Sequence, residues 1–508
     1  MRCFDERPID RLARELQSTP VVNTMNQIPP ASLAPLLLGF ASLIHAVPQD
    51  DPAPDRRVLA SVADAPDILY LVVDDLGWHD VGFTGGTSHP TPAIDGLAAD
   101  CMVFENAYAD APNCAPTRAS LLSGQSTARH GVLTVGSSAR GRAADRTIEP
   151  VPNRRFLDPA QDTLADDLRA AGYRTVHVGK FHLGPDPLDY GFTDQRGGTG
   201  AGHPKSYRSP YRNPALEDGP EGEYLTDRLV GESVRFIESD DPRPLFLQLC
   251  FFSVHTPIQP RPDLLAASRT RLAGSRPRDQ KYDAMVLAVD AAIDRVLREF
   301  TSHRSRPLMV IFTSDNGGYG PLADNGPLRG SKGMLYEGGI RVPLAVRWPT
   351  TFKPGRCDVP VLLRDLVPTI HAAAGIPPPG RTLDGRNLEP AILGRPMEAT
   401  ALHWHFPVYL ERDSSVEGPW RTTPVAACRL GSHKLIEYFD TGALELYDLD
   451  RDPAETLDLS PSHPDLVRLL QREMERWRAQ VGARLPSPTS GPRTSSDRPV
   501  PPRPEGTP

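Results

Sequence analysis

Apolar residues in this chain come in short unbroken runs, and each run gives way at once to polar residues able to do chemistry. Residues 68–73, Ile-Leu-Tyr-Leu-Val-Val, end in Asp74-Asp75; 173–178 lead to Lys180 and His182; 245–254 end at His255; 308–313 run into Asp315-Asn316. Continuous apolar runs of this kind predict strands covered on both faces by helices. Between them lie segments of helical spacing. Residues 163–171 close on Gly172, and 282–300 place Val286, Val289, Ile293, Val296 and Leu297 on one stripe. Strands alternating with helices predict an α/β fold: a large, mostly parallel sheet flanked by helices, with the groups at its strand ends converging in one crevice.

After about residue 380 the pattern changes. Short strands are expected at 425–430, 434–439 and 444–449, the first two joined by a turn at Gly431-Ser432. A final helix over 465–481 sets Leu466, Leu470, Met474, Trp477 and Val481 at steps of three and four, with Ser462 as its cap. The expected organisation is a principal domain over 67–380 and a C-terminal subdomain over 381–485, an antiparallel sheet plus helix. A tail over 486–508, rich in Pro, Ser, Thr, Arg and Gly, is expected to be disordered.

The first 66 residues have another composition. From Met25 a polar start leads to the apolar Leu36, Leu37, Leu38, Phe40 and Leu43, then His45-Ala46 and a Pro-rich stretch. Residues 25–46 resemble a signal peptide, 47–66 a linker, and 1–24 an extension ahead of the true start, although no Lys or Arg lies between Met25 and Ala46. A secreted or periplasmic protein follows. No other segment approaches the roughly 18 apolar residues of a membrane helix, so stable membrane insertion is not expected. The net charge of -8, from 56 Lys and Arg against 64 Asp and Glu, gives no general attraction to nucleic acid. Any anionic substrate must be held by a local cluster. Cysteines 3, 101, 114, 250, 357 and 428 show neither zinc-type spacing nor disulfide-scaffold density.

The most informative stretch is Cys114-Ala-Pro-Thr-Arg118. Pro116 suits the first turn of a helix, which puts Cys114 at the positive helix end, and Arg118 can reach back to the same place. Asp74, Asp75, Asp315 and Asn316 supply three carboxylates and an amide, hard oxygen ligands that prefer calcium or magnesium to zinc or copper. Neighbouring residues on a regular strand point to opposite faces, so each pair can serve one ion only where its strand is ending. Lys180, His182, His255 and Lys332 add cations and imidazoles that could stabilise charge developing on a leaving oxygen. Singly, each of these is more often a loop, surface or core residue. Their positions relative to the strands change the balance.

These segments, in this order, resemble the sulfatase family of the alkaline phosphatase superfamily, particularly the arylsulfatase type. The resemblance runs from about Asp67 to Leu459 and includes Ile340-Arg-Val-Pro343, Arg364-Asp-Leu-Val-Pro-Thr369, Leu383-Asp-Gly385 and Glu445-Leu-Tyr-Asp-Leu449. It implies that Cys114 is oxidised to formylglycine by a separate maturation enzyme, hydrated, and used as nucleophile and metal ligand. It further implies Asp74, Asp75, Asp315 and Asn316 as ligands to Ca2+, with Mg2+ as the other candidate. Arg118 would steady the hydrated aldehyde and Lys180 the sulfate group. His255 and Lys332 would bind the substrate and assist the leaving oxygen, and His182 would take the proton that lets sulfate depart.

The expected substrate is a sulfated carbohydrate or an aryl sulfate. Two alternatives stand beside this reading: a phosphodiesterase or phosphonate monoester hydrolase of the same superfamily, and a non-catalytic protein that binds sulfated glycans. Specificity is expected from loops at the pocket mouth, at 197–214 with His203, Lys205 and Tyr207, and at 403–407 with His403, Trp404 and His405, though packed loop residues are the commoner reading of such groups.

Overall fold

The computed structural model describes residues 65–489. The proposed extension, signal peptide and nearly all of the linker, like residues 490–508 of the tail, lie outside the described residues.

The main sheet contains eight strands: β1 (Asp67–Val73), β2 (Met102–Phe104), β3 (Arg174–Gly179), β4 (Asp194–Arg196), β5 (Leu245–Cys250), β6 (Leu308–Ser314), β7 (Leu344–Arg347) and β8 (Gly355–Cys357). Their spatial order is β8-β2-β7-β6-β1-β5-β3-β4. Strands β6, β1, β5, β3 and β4 run parallel, while β7 lies antiparallel between β2 and β6. The sheet is thus mostly parallel, as expected. The inverted β7 has only four residues, too few to announce a direction in the sequence.

The apolar runs work as two-sided strands. Ile68, Tyr70 and Val72 enter one core, while Leu69, Leu71 and Val73 enter the other. Each such burial is worth about 1.5–3 kcal/mol, which explains why no charged residue follows Asp67 in β1 before its end. On the first face pack α1 (Cys114–Ser123) and α2 (Leu164–Ala170); on the second pack α3 (Leu225–Ile237) and α4 (Pro277–His303). Thr163 starts α2 with a reciprocal cap: its hydroxyl accepts from the Asp166 N–H, and the Asp166 carboxylate accepts from the Thr163 N–H.

Register then aligns the strand ends. Val73 pairs with Ser314, Val72 with Cys250, and Gly179 with Cys250. Asp74, Lys180 and Asp315, each the next residue along, therefore emerge at one edge. Gly179 must be glycine there, because its φ is +99° and a Cβ would strike the Cys250 carbonyl.

A second sheet, β9 (Leu402–Phe406), β12 (Val425–Leu430), β13 (His433–Tyr438) and β14 (Leu444–Asp448), is antiparallel in that order, and the hairpin β10 (Leu410–Glu411) and β11 (Trp420–Thr422) interrupts it in sequence. One face meets the main body through Tyr108, Ile340 and Trp404; the other holds the final helix, α5 (Pro464–Val481), through Leu435, Leu470 and Met474. Ser462 does not cap that helix. His463 occupies the cap position without a side-chain bond, because Pro464, with its fixed φ, takes the first helical place. At the start of the expected tail, Ser487 and Pro488 pair with Glu149 and Ile148. Among the described residues, no helix is long and apolar enough to cross a membrane.

Candidate active site

Asp74 follows directly on β1, and Asp75 has φ +62°, so the chain turns sharply as the strand ends and both carboxylates stay in the crevice. The Asp75 N–H reaches Asp315 Oδ1 at 3.3 Å, and Asn316 Nδ2 donates to Asp75 Oδ1 at 2.9 Å. Asp74, Cys114 and Asp315 each bring one ligand atom within 4.8 Å of the others, and all three are buried. Asp74 Oδ1 and Asn316 Oδ1 are buried acceptors without a hydrogen-bond partner. Buried lone pairs left unpaired in an all-oxygen set are what a hard divalent cation requires, so the residues present fit calcium or magnesium.

Three cations interleave with these acids. Lys180 Nζ lies 2.6 Å from Asp74 Oδ2 with both side chains fully buried, and Lys332 Nζ lies 2.6 Å from Asp75 Oδ1. Arg118 donates from Nε to Asp315 Oδ2 at 2.7 Å and from a terminal nitrogen to the Lys180 carbonyl at 2.8 Å. Its other terminal nitrogen, Nη2, is buried without a partner. Burial pushes the Asp74 carboxyl up, with Asp315 and Asp75 adding to the rise against Lys180. Burial also acts on Asp75, but Lys332, His255 and Lys180 outweigh it and hold that carboxyl below its ordinary range.

Cys114 is the first residue of α1. Asn113 does not cap the helix, since its amide donates to Thr134 Oγ1 at 2.9 Å, and the helix N-terminus faces the crevice with no side-chain cap. The thiol sulfur lies 3.4 Å from His182 Nδ1. Burial pushes the thiol up despite Lys180 and Lys332. As a cysteine, residue 114 therefore stays protonated, unlike cysteines that work as thiolates.

Burial drives His182 well below its ordinary value, with Lys180 adding to the fall, and His255 down to about 3, with Asp75 opposing. Both rings are neutral at pH 7. His255 Nδ1 sits 2.8 Å from the Thr256 carbonyl, which can only accept. The ring proton is on Nδ1, and the bare Nε2 faces Asp75 at 3.7 Å. Tyr207, fully buried, donates to the carbonyls of Phe252 and His255 and braces that loop.

The crevice opens into a cavity of about 180 Å³ lined at its base by Cys114, His182, His255 and Lys332, and on its walls by Arg140, His203, Glu411 and Arg421 among others. The structure thus gathers all ten residues expected from sequence around one point. It rejects the 403–407 loop. These residues lie in or beside buried β9: His403 lies 3.3 Å from Glu473, Trp404 donates to the Ala109 carbonyl, and His405 meets the Arg484 carbonyl. They are packing residues whose partners come from distant segments. Of the 197–214 segment, His203 lines the cavity and stacks on His255 with centroids 6.0 Å apart. Arg140, Glu411 and Arg421 had no sequence signal, because only the fold brings the 137–146 loop and the β10–β11 hairpin to the mouth.

A family model described as Sulfatase matches residues 66–376, and one described as N-sulphoglucosamine sulphohydrolase, C-terminal, matches 331–480. The chain is 29% identical to a sulfatase of Formosa agariphila, covering 81% of this chain and 88% of that protein. It is 32% identical to N-acetylgalactosamine-6-sulfatase of Canis lupus familiaris, covering 66% and 67%. Among solved structures, Ps i-CgsB in complex with k-i-k-neocarrahexaose superposes with a TM-score of 0.68 at 28% identity, covering 81% of this chain and 92% of that one.

Proposed function

The chain belongs to the sulfatase family and is a sulfuric ester hydrolase of alkaline phosphatase-like fold, and from that premise we propose that it cleaves sulfate monoesters of glycans through an aldehyde made from Cys114. The observation that carries this reading is a protonated, buried cysteine at a helix N-terminus, within 4.8 Å of two carboxylate oxygens and 3.4 Å from a neutral histidine. A thiol held neutral is a poor nucleophile, and a sulfated thiol offers no second hydroxyl through which to collapse. Oxidised by a maturation enzyme and hydrated, residue 114 supplies both hydroxyls. Asp74, Asp75, Asp315 and Asn316 would hold the divalent cation, calcium before magnesium, which supplies positive charge beside the sulfate oxygens.

The remaining residues divide the work by position. Arg118, with one buried N–H unspent, steadies the group on Cβ of residue 114. Lys180 orients the sulfate from the strand-end side, and Lys332 neutralises charge on the leaving oxygen from the cavity side. His255 shares that side of the cavity; an arriving anion offsets the burial that depresses its pKa and lets Nε2 carry a proton to the leaving oxygen. His182 Nδ1 takes the proton from residue 114 as sulfate departs. The relatives' names, N-acetylgalactosamine-6-sulfatase and Ps i-CgsB in complex with k-i-k-neocarrahexaose, support a glycan substrate here. The apolar segment ahead of Ala46 supports export from the cytoplasm.

Protein produced with a formylglycine-generating enzyme tests the reading. Sulfate release from aryl and sugar sulfates, far exceeding turnover of aryl phosphodiesters, is expected. Faster phosphodiester cleavage, or binding of sulfated glycan with no release, overturns it.

A further inference from the structure

Lys332 is carried by a stretch without regular structure, residues 328–336, that belongs by sequence to the main body yet is held on its far side by the second sheet. Toward the crevice, the Lys332 N–H donates to the Gly318 carbonyl at 3.0 Å and the Gly333 N–H to the Pro112 carbonyl at 2.7 Å. On the far side, Leu335 is buried in the core that Trp404, Ile436 and Tyr447 build. Arg421, from β11, donates to the Lys332 carbonyl at 3.3 Å.

The two ends of the stretch are tied to one strand and to each other. Arg329 Nη1 donates to Tyr447 Oη and to the Glu455 carbonyl, both at 2.9 Å, and its guanidinium lies 3.9 Å from the centre of the Tyr336 ring. Tyr336 Oη donates to Glu445 Oε2 at 2.7 Å and lies 2.9 Å from Tyr438 Oη. Glu445 and Tyr447 are alternate residues of β14 and so project from the same face. The Arg329 carbonyl accepts from the Gly338 N–H at 2.8 Å, which closes the stretch into a loop pinned at its neck. Lys332 stands inside that loop and lines the cavity, whereas neither Arg329 nor Tyr336 does.

We propose that Arg329 and Tyr336 are positioning residues for Lys332, through which the second sheet sets the reach of Nζ and with it the help given to a poorly departing oxygen. The proposal rests on the reading that Lys332 neutralises charge on that oxygen. Two demands meet at Nζ: Asp75 Oδ1 lies 2.6 Å from it, and the leaving oxygen must arrive on its cavity side. A lysine side chain is a flexible stem, so the placement of its backbone decides whether Nζ meets both. Misplacement of a reacting group by about 1 Å costs up to about a hundredfold in rate.

The test uses aldehyde-bearing protein and a series of substituted phenyl sulfates, which share one ring and differ in the acidity of the phenol released. Their kcat/KM covers the steps through departure of the phenol and excludes the later release of sulfate. A strongly acidic phenol leaves as a stable anion, while a weakly acidic one needs the cation. Arg329→Met and Tyr336→Phe are expected to lower kcat/KM for esters of weakly acidic phenols about tenfold more than for 4-nitrophenyl sulfate. Lys332→Ala should show the same skew more strongly. Arg329 is an exposed residue, so its replacement puts the fold at little risk. A purely structural role lowers the amount of active enzyme and scales every ester equally, so the skew within one preparation does not depend on how much of a variant has folded. A skew in either variant supports the proposal. An even loss across the series, or no loss, in both variants overturns it when Lys332→Ala is skewed. An even loss in Lys332→Ala sinks instead the role assigned to Lys332, and the proposal with it.

Discussion

Two clusters of buried charge in this molecule use the same residue types for different ends. At the strand ends, Asp74, Asp75 and Asp315 interleave with Lys180, Lys332 and Arg118. Between the main body and the second sheet, Lys434 lies 3.0 Å from Glu337 Oε1 and 2.9 Å from Glu455 Oε1, all three side chains being fully buried or nearly so. Glu337 Oε2 accepts from Tyr108 at 2.7 Å and Glu455 Oε2 from the Glu337 N–H at 2.7 Å. Glu455 Oε1 is buried without a hydrogen bond, but Lys434 faces it at 2.9 Å, so each of that cluster's four carboxylate oxygens has a hydrogen bond or an ion pair and the cluster is closed. The strand-end cluster is open: Asp74 Oδ1, Asn316 Oδ1 and Arg118 Nη2 have neither a hydrogen bond nor an ion pair, and Cys114, within 4.8 Å of Asp74 and Asp315, lines the cavity. Closure, and not charge content, separates a group of ions that pins two sheets together from one poised to bind.

The largest effect should come from removing the divalent cation proposed for the open cluster. A strong chelator is expected to reduce sulfate release about a thousandfold or more, with recovery on adding calcium. Full activity after exhaustive chelation would erase the distinction between the clusters.

Removing one lysine from each cluster sharpens the contrast. Lys434→Met strands two buried carboxylates and should cost about 3–5 kcal/mol in urea unfolding. Lys332→Ala should lower kcat by about a hundredfold to a thousandfold while costing less stability than the Lys434 change. Equal stability losses would mean that both clusters serve the fold.

The smallest effect concerns the support behind the crevice. His89 bridges Asp283 at 2.7 Å and Asp80 at 3.3 Å, and Asp80 in turn accepts from the Gly77 N–H, just past the Asp74-Asp75 turn. Burial opposes charge on His89, but its bonds to Asp283 and Asp80 raise it to about 9. A pKa raised above the unfolded value stabilises the fold fully below about 6.5, and the gain disappears as pH climbs through about 9. His89→Gln should flatten this decline and cost on the order of 1–2 kcal/mol at pH 6, read from unfolding at pH 6 and pH 10. An unchanged pH profile would remove His89 from that role.

Most of the open cluster was legible in the sequence because Asp74, Asp75, Lys180 and Asp315 sit directly behind apolar strands and Arg118 lies inside the Cys114-x-Pro-x-Arg118 motif, where local pattern and tertiary position coincide; Lys332, in a loop well past its nearest strand, had no such signal. The closed cluster was not legible, since Glu337, Lys434 and Glu455 belong to segments whose meeting depends on how the second sheet docks. The same holds for Arg140, Glu411 and Arg421. His403, Trp404 and His405 went the other way: offered as a pocket-mouth loop with packing as the commoner reading, they are packed in a buried strand, where Glu473 faces His403 and the Ala109 and Arg484 carbonyls bond Trp404 and His405.

The central claim is that an aldehyde at residue 114 performs the reaction. Preparations matured to different extents can be digested, and the peptide containing that residue weighed to give the fraction carrying aldehyde in place of thiol. Specific activity should rise in proportion to that fraction from a zero intercept. Activity in protein whose residue 114 is wholly thiol would contradict the account.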